Sequence, residues 1–185
     1  MKRGVWIAGA LALAVLGWRA ARRSPPASVS GIRALEEVLA SRDDNNPRLD
    51  RDFNALSPED KAAFREKYRE IPAERRNERG TIVYLLGKNT ASAEDWAFLR
   101  EVAGEPPCLS LADCAKPSDG AGEPGDAVTL AYPSLVALKQ AERALEAGIS
   151  AAEAKAVIAA GRGSKMPAVA RLAEKLAKRF PDPAR

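Results

Sequence analysis

Two cysteines, Cys108 and Cys114, and the absence of histidine bound the chemistry open to this 185-residue chain. Without an imidazole, no Ser-His-Asp or Cys-His centre can be assembled within it, and no zinc site of a histidine-containing type. Two thiols alone make half of a four-cysteine zinc site. Lying six positions apart, they cannot be bridged on one straight helix, where they leave on different faces about 9 Å apart along the axis. In the irregular stretch 104–125, which holds Pro106, Pro107, Pro117 and Pro124, they can meet. Three readings stand: a disulfide, two buried thiols acting as small apolar residues, or a catalytic cysteine that would lack a histidine to activate it.

Other patterns with chemical potential are weaker. Gly120, Gly122 and Gly125 match G-x-G-x-x-G in form, but Cys114–Asp119 ahead of them is no strand, and Pro124 and nearby acids oppose an anion. A flexible loop fits better. Asp43–Asn46 resembles the start of a calcium loop, yet Arg48 stands where glycine is required and Asn54 where a bidentate glutamate belongs. That stretch reads as a solvated turn. No Ser-x-x-Lys occurs. Carboxylates are the remaining resource. A glycosidase or lytic enzyme would need two of them about 5–10 Å apart across a cleft, and nearly all fall at helix caps or on exposed helix positions. No cofactor and no small-molecule substrate is indicated.

The elements that carry these residues read as helices throughout, so the expected fold class is all-α, an irregular array of antiparallel helix pairs. Residues 31–40 hold Ile32, Leu35 and Leu39 at helical spacing, and 42–47 break the run with turn formers. A short helical turn is expected over 49–56. Ser57-Pro58-Glu59-Asp60 is a start signal: a cap, proline at the first helical position, and acids in the first turn. The helix it opens puts Phe64, Tyr68 and Ile71 inward and Lys61, Arg65, Glu66, Lys67, Arg69 and Glu70 on a face expected to be solvated. The central pair follows. Residues 73–87 form one helix, with Gly87 expected just past its end. Ser92 caps a second, with Trp96, Leu99 and Ala103 inward, stopped by Gly104 and Pro106. Residues 126–147 are helical, with Pro133 marking a kink or a fresh start. Ser150 and Glu153 suggest a capping box for a helix ending at Gly161. Ser164 caps the last, whose inner face is Val169, Leu172, Leu176 and Phe180.

A helix ending in Leu85-Leu86-Gly87-Lys88, a short turn and a second striped helix resembles a HEAT-type helical repeat of the short bacterial kind, over about residues 78–104. A looser echo covers 152–180. The resemblance implies a scaffold or docking surface and carries over no catalytic residue.

The N-terminus is different in kind. Gly4–Trp18 is free of charge, with Lys2 and Arg3 before it and Arg19, Arg22 and Arg23 after it. This basic-then-apolar order reads as an uncleaved signal anchor over residues 1–23 or, alternatively, a cleaved signal peptide. Residues 24–30 form a linker, 31–180 the helical domain, and 181–185 a tail. The leader holds five basic residues and no acid in thirty positions, leaving 24 Lys and Arg against 25 Asp and Glu elsewhere. The high overall pI is therefore mostly the leader's, and nucleic acid is set aside. Positive charge after the span favours a cytoplasmic domain, whereas the signal-like order and the cysteine pair favour an oxidising compartment. The expected location is the inner membrane, single-pass, with a periplasmic domain, the alternative being a cleaved, periplasmic or secreted protein. The expected function is a membrane-anchored interaction or scaffold module for a protein partner, the alternative an envelope hydrolase with a carboxylate pair.

Overall fold

A computed structural model describes residues 27–43, 45–118 and 125–181. Among them are nine helices and no strand: α1 (Ala27–Ser41), α2 (Arg48–Arg51), α3 (Pro58–Glu70), α4 (Arg76–Lys88), α5 (Ala93–Ala103), α6 (Ala127–Leu130), α7 (Tyr132–Glu146), α8 (Ala151–Arg162) and α9 (Pro167–Arg179). The architecture is all-α. The anchor over 1–23, the glycine-rich 120–124 and the tail beyond Pro181 lie outside the described residues. The linker expected over 24–30 is shorter than its prolines suggested, because α1 already begins at Ala27.

Local starts and stops follow from side chains that meet orphan backbone groups. Ser57 and Asp60 form a reciprocal capping box on α3, and Ser92 and Asp95 form one on α5. Asp126, an unforeseen cap, accepts from Val128 and Thr129 N–H at the start of α6. Pro133 sits in the first turn of α7 and marks a fresh start, not a kink. Two expected caps fail. Ser150 is left-handed (φ 48°) and makes no side-chain cap bond, and Ser164 accepts from Met166 N–H ahead of the helix whose first residue is Pro167.

The hub is α7, which packs against α4, α5, α8 and α9. Helices α4 and α5 share the one core, while their larger contacts are with α7 and α8 respectively. Glycine explains the closeness of one pairing. Gly87 does not follow α4 but lies inside it, and a Cβ there would fall 2.2 Å from Gln140 Cγ. At Gly80, one heptad earlier, a Cβ would fall 2.3 Å from the Tyr132 ring. Gly80 meets Tyr132 and Gly87 meets Gln140, so α4 and α7 run parallel. Trp96 shares a groove with Glu153, and Gly104 approaches Ala160, so α5 and α8 run parallel too. The pair α4–α5 is thus laid beside α7–α8, like helix on like. Gly161 likewise lies within α8, against Leu138 and Ala173.

One core runs through the described body. Leu35, Phe53, Phe64, Tyr68, Leu85, Leu99, Leu138, Val157 and Leu176 are each no more than 2% exposed. Phe53 meets Phe64, and Tyr68 meets Phe98, edge to face.

Candidate functional site

The irregular segment after α5 is tied down over 108–114. Cys108 and Cys114 form a disulfide, with Cα atoms 4.0 Å apart. Within the bridge, Leu109 N–H donates to Cys114 O, and Ser110 Oγ accepts from Asp113 N–H and donates to Asp113 O. Asp113 then closes the next turn on Ala115 N–H. A carboxylate from the helical body reaches in: Glu74 Oε1 accepts from Cys114 N–H at 2.9 Å. That bond holds the Glu74 pKa below the ordinary carboxylate value. Cys108 and Ser110 are buried, while Leu109 between them is 43% exposed. The loop is therefore a stapled projection presenting one leucine.

At its root lies a charged cluster that spacing alone could not show. Glu105, just past α5, accepts from Tyr68 Oη at 2.8 Å and from Arg79 Nη2 at 2.6 Å. Its other oxygen stands 3.9 Å from Arg76 Nη1. The Arg79 guanidinium also lies over the Tyr68 ring, 4.0 Å from its centre. Burial, then the Glu105 charge, drives the Tyr68 phenol strongly upward in pKa, so this hydroxyl stays protonated and donates to Glu105. Arg76 is 3% exposed. Burial pushes its pKa down, yet an arginine stays charged in proteins. Two cations, Arg76 buried and Arg79 partly buried, thus face one carboxylate, and Arg76 Nε, Arg76 Nη2 and Arg79 Nε make no hydrogen bond. Such orphan donors cost stability.

A second ion-pair site corrects the expected solvated face of α3. Lys61 is buried, and its Nζ lies 2.8 Å from Asp95 Oδ2; Arg65 Nη1 lies 2.9 Å from Asp95 Oδ1. Asp95 also accepts from Ala91 and Ser92 N–H. This arrangement clamps α3 to the start of α5. The apolar stripe of α3 was legible. The inward turn of two long cations toward a capping acid was not, because nothing local to α3 requires it.

Carboxylates gather around Thr81 in two adjoining clefts, of about 170 and 260 Å³. Asp43 and Glu78 line the first, Asp50 the second. Glu78 is held by Arg75, and Asp50 accepts from Tyr84 Oη and Lys88 Nζ. Every described carboxyl group whose pKa departs from the ordinary value is lowered. A general acid needs the opposite shift. Among the described residues no cluster of His, Cys, Asp or Glu could hold a metal ion, and no helix is long and apolar enough to cross a membrane.

No protein-family model, curated protein or solved structure matches this chain.

Proposed function

We propose that the protein is a membrane-anchored helical interaction module, held at the membrane by residues 1–23 and docking a protein partner through the stapled loop at 104–118. The observation that carries this reading is the loop's construction. A disulfide, a carboxylate cap from Glu74 and the Glu105 cluster fix an irregular, leucine-bearing segment onto a rigid helical body. Irregular segments on rigid scaffolds are where recognition concentrates. The side-by-side setting of α4–α5 on α7–α8 supports a scaffold built of stacked helix pairs.

A photo-reactive residue in place of Leu109, in the full chain within its native membrane, tests the reading. One discrete adduct, lost when Cys108→Ser breaks the staple, is expected. No adduct from Leu109 while the protein is folded and present would refute docking through this loop. Location has its own test. Thiols that alkylate only after reduction fit an oxidising compartment, whereas thiols free in the native fraction place the domain elsewhere.

A further inference from the structure

The near-neutral charge of the chain beyond its leader conceals a division. Residues 31–150 carry 16 Lys and Arg against 22 Asp and Glu, whereas 151–185 carry 8 against 3. The hairpin α8–α9 is therefore a cationic unit on an anionic body. Its helices are antiparallel, since Arg162 pairs with Glu174 near one end and Lys155 donates to Pro181 O near the other.

Around α9 the faces have distinct uses. Val169, Ala173 and Leu176 are buried in the core. Arg179 turns toward α7, where it pairs with Glu142 and Glu146. Arg171, Lys175 and Lys178, at i, i+4 and i+7, share the outer face. Arg171, Lys175 and the preceding Lys165 are exposed and make no ion pair with any described residue, and Lys178 reaches only Glu174 at 3.8 Å, which Arg162 already holds. Between the two helices is a groove of about 160 Å³ with Ile158, Ala159, Ala177 and Phe180 as its apolar walls, also lined by Lys155, which donates to Pro181 O, and Arg162, which pairs with Glu174.

We propose that the α8–α9 hairpin is a docking face for an acidic polypeptide segment that carries one bulky apolar side chain. The groove is sized for a single leucine or phenylalanine, and Arg171, Lys175 and Lys178 on the outer face of α9 answer carboxylates beyond that anchor. A lipid surface fits less well, because the apolar side of α9 is spent on the core and leaves nothing to insert. A single-stranded nucleic acid fits less well too, because it needs open aromatic faces for stacking, and the Phe180 ring is capped by the Arg179 guanidinium 5.1 Å from its centre. This inference rests on the interaction-module reading but uses a different surface from the stapled loop.

The test is selection from a random peptide display library on the full chain held in nanodiscs of neutral lipid. The wild type is compared with the surface variant Arg171→Glu/Lys175→Glu/Lys178→Glu and with Ala177→Arg, which fills the groove. Thermal melts confirm that each variant is folded, and Phe180→Leu replaces Ala177→Arg should the latter not fold. The expected outcome is a consensus of several Asp or Glu around one large apolar residue. A synthetic peptide of that consensus should bind at least about tenfold more weakly to the charge-reversed chain. Raising salt from about 0.05 to 0.5 M should weaken it about tenfold. No enrichment, a consensus without acids, or binding indifferent to the charge reversal overturns the proposal. Competition by poly(U) or by vesicles rich in phosphatidylglycerol, unaffected by the groove variant, also overturns it in favour of a general polyanion patch. A discrete adduct from Leu109 alongside a failed selection would leave the module reading standing and remove only this one.

Discussion

Asp95 holds two cations and two backbone N–H groups from a side chain only 1% exposed. Burial raises its pKa, but the hydrogen bonds from Lys61, Ala91 and Ser92 outweigh that and leave it below the ordinary carboxylate value. A carboxyl group lowered on folding contributes stability above its unfolded pKa of about 4 and loses it as pH falls through the folded value. Thermal stability should therefore fall steadily below about pH 4, and less steeply in Asp95→Asn. That variant also leaves Lys61 buried without its partner and should cost about 3 kcal/mol in urea unfolding at pH 7. The Glu105 cluster gives a contrast of sign. Glu105→Gln strands Arg76 and Arg79 and should destabilise by about 3 kcal/mol. Arg76→Met removes a buried cation with two orphan donors and should be neutral or stabilising by about 1 kcal/mol. A large loss in Arg76→Met, measured the same way, would mean that its single bond to Ala73 O and its ion pair matter more than its desolvation.

Helix α4 is set by what it lacks. Gly80 and Gly87 lie where α7 presses the Tyr132 ring and the Gln140 stem against its backbone. Alanine at either would gain up to about 1 kcal/mol of helix propensity and lose about 1–3 kcal/mol to overpacking. Gly87→Ala should be the milder, a net loss of about 1 kcal/mol by denaturant unfolding. Gly80→Ala strikes a ring and should cost more. These glycines show where the sequence was readable and where it was not. Helix existence followed from apolar spacing, and the caps at Ser57 and Ser92 from residue type, because both are local. Gly87 and Gly161 carry the local signature of a helix end, yet each is spent on a neighbour distant in sequence. The disulfide stood among three open readings until the backbone of 108–114 brought both sulfurs together. The clamp of Lys61 and Arg65 on Asp95, and the cluster at Glu105, join helices about thirty residues apart. No periodicity within one helix encodes them.

Across the whole molecule, the staple and the charge division make separable claims. Reducing the Cys108–Cys114 bridge frees a short loop and should lower global stability by about 2 kcal/mol on chain-entropy grounds. Matched guanidinium titrations with and without reductant check this. A much larger loss would show that the loop also braces Arg76 and Arg79. The charge division predicts no such change: Arg171→Glu/Lys175→Glu/Lys178→Glu touches only exposed side chains, so it should move recognition and leave the melt nearly fixed. The position of α7 at the hub has a further consequence, in time. On a ribosome, the side of α4 that awaits α7 emerges almost sixty residues before Glu146 does. At about 5–20 residues per second, that surface stays uncovered for roughly 3–12 s. During synthesis, then, Val83 and Tyr84, which share the Gly80–Gly87 side of α4, are a natural foothold for a holding chaperone, and the parallel partner that finally displaces it is encoded far downstream.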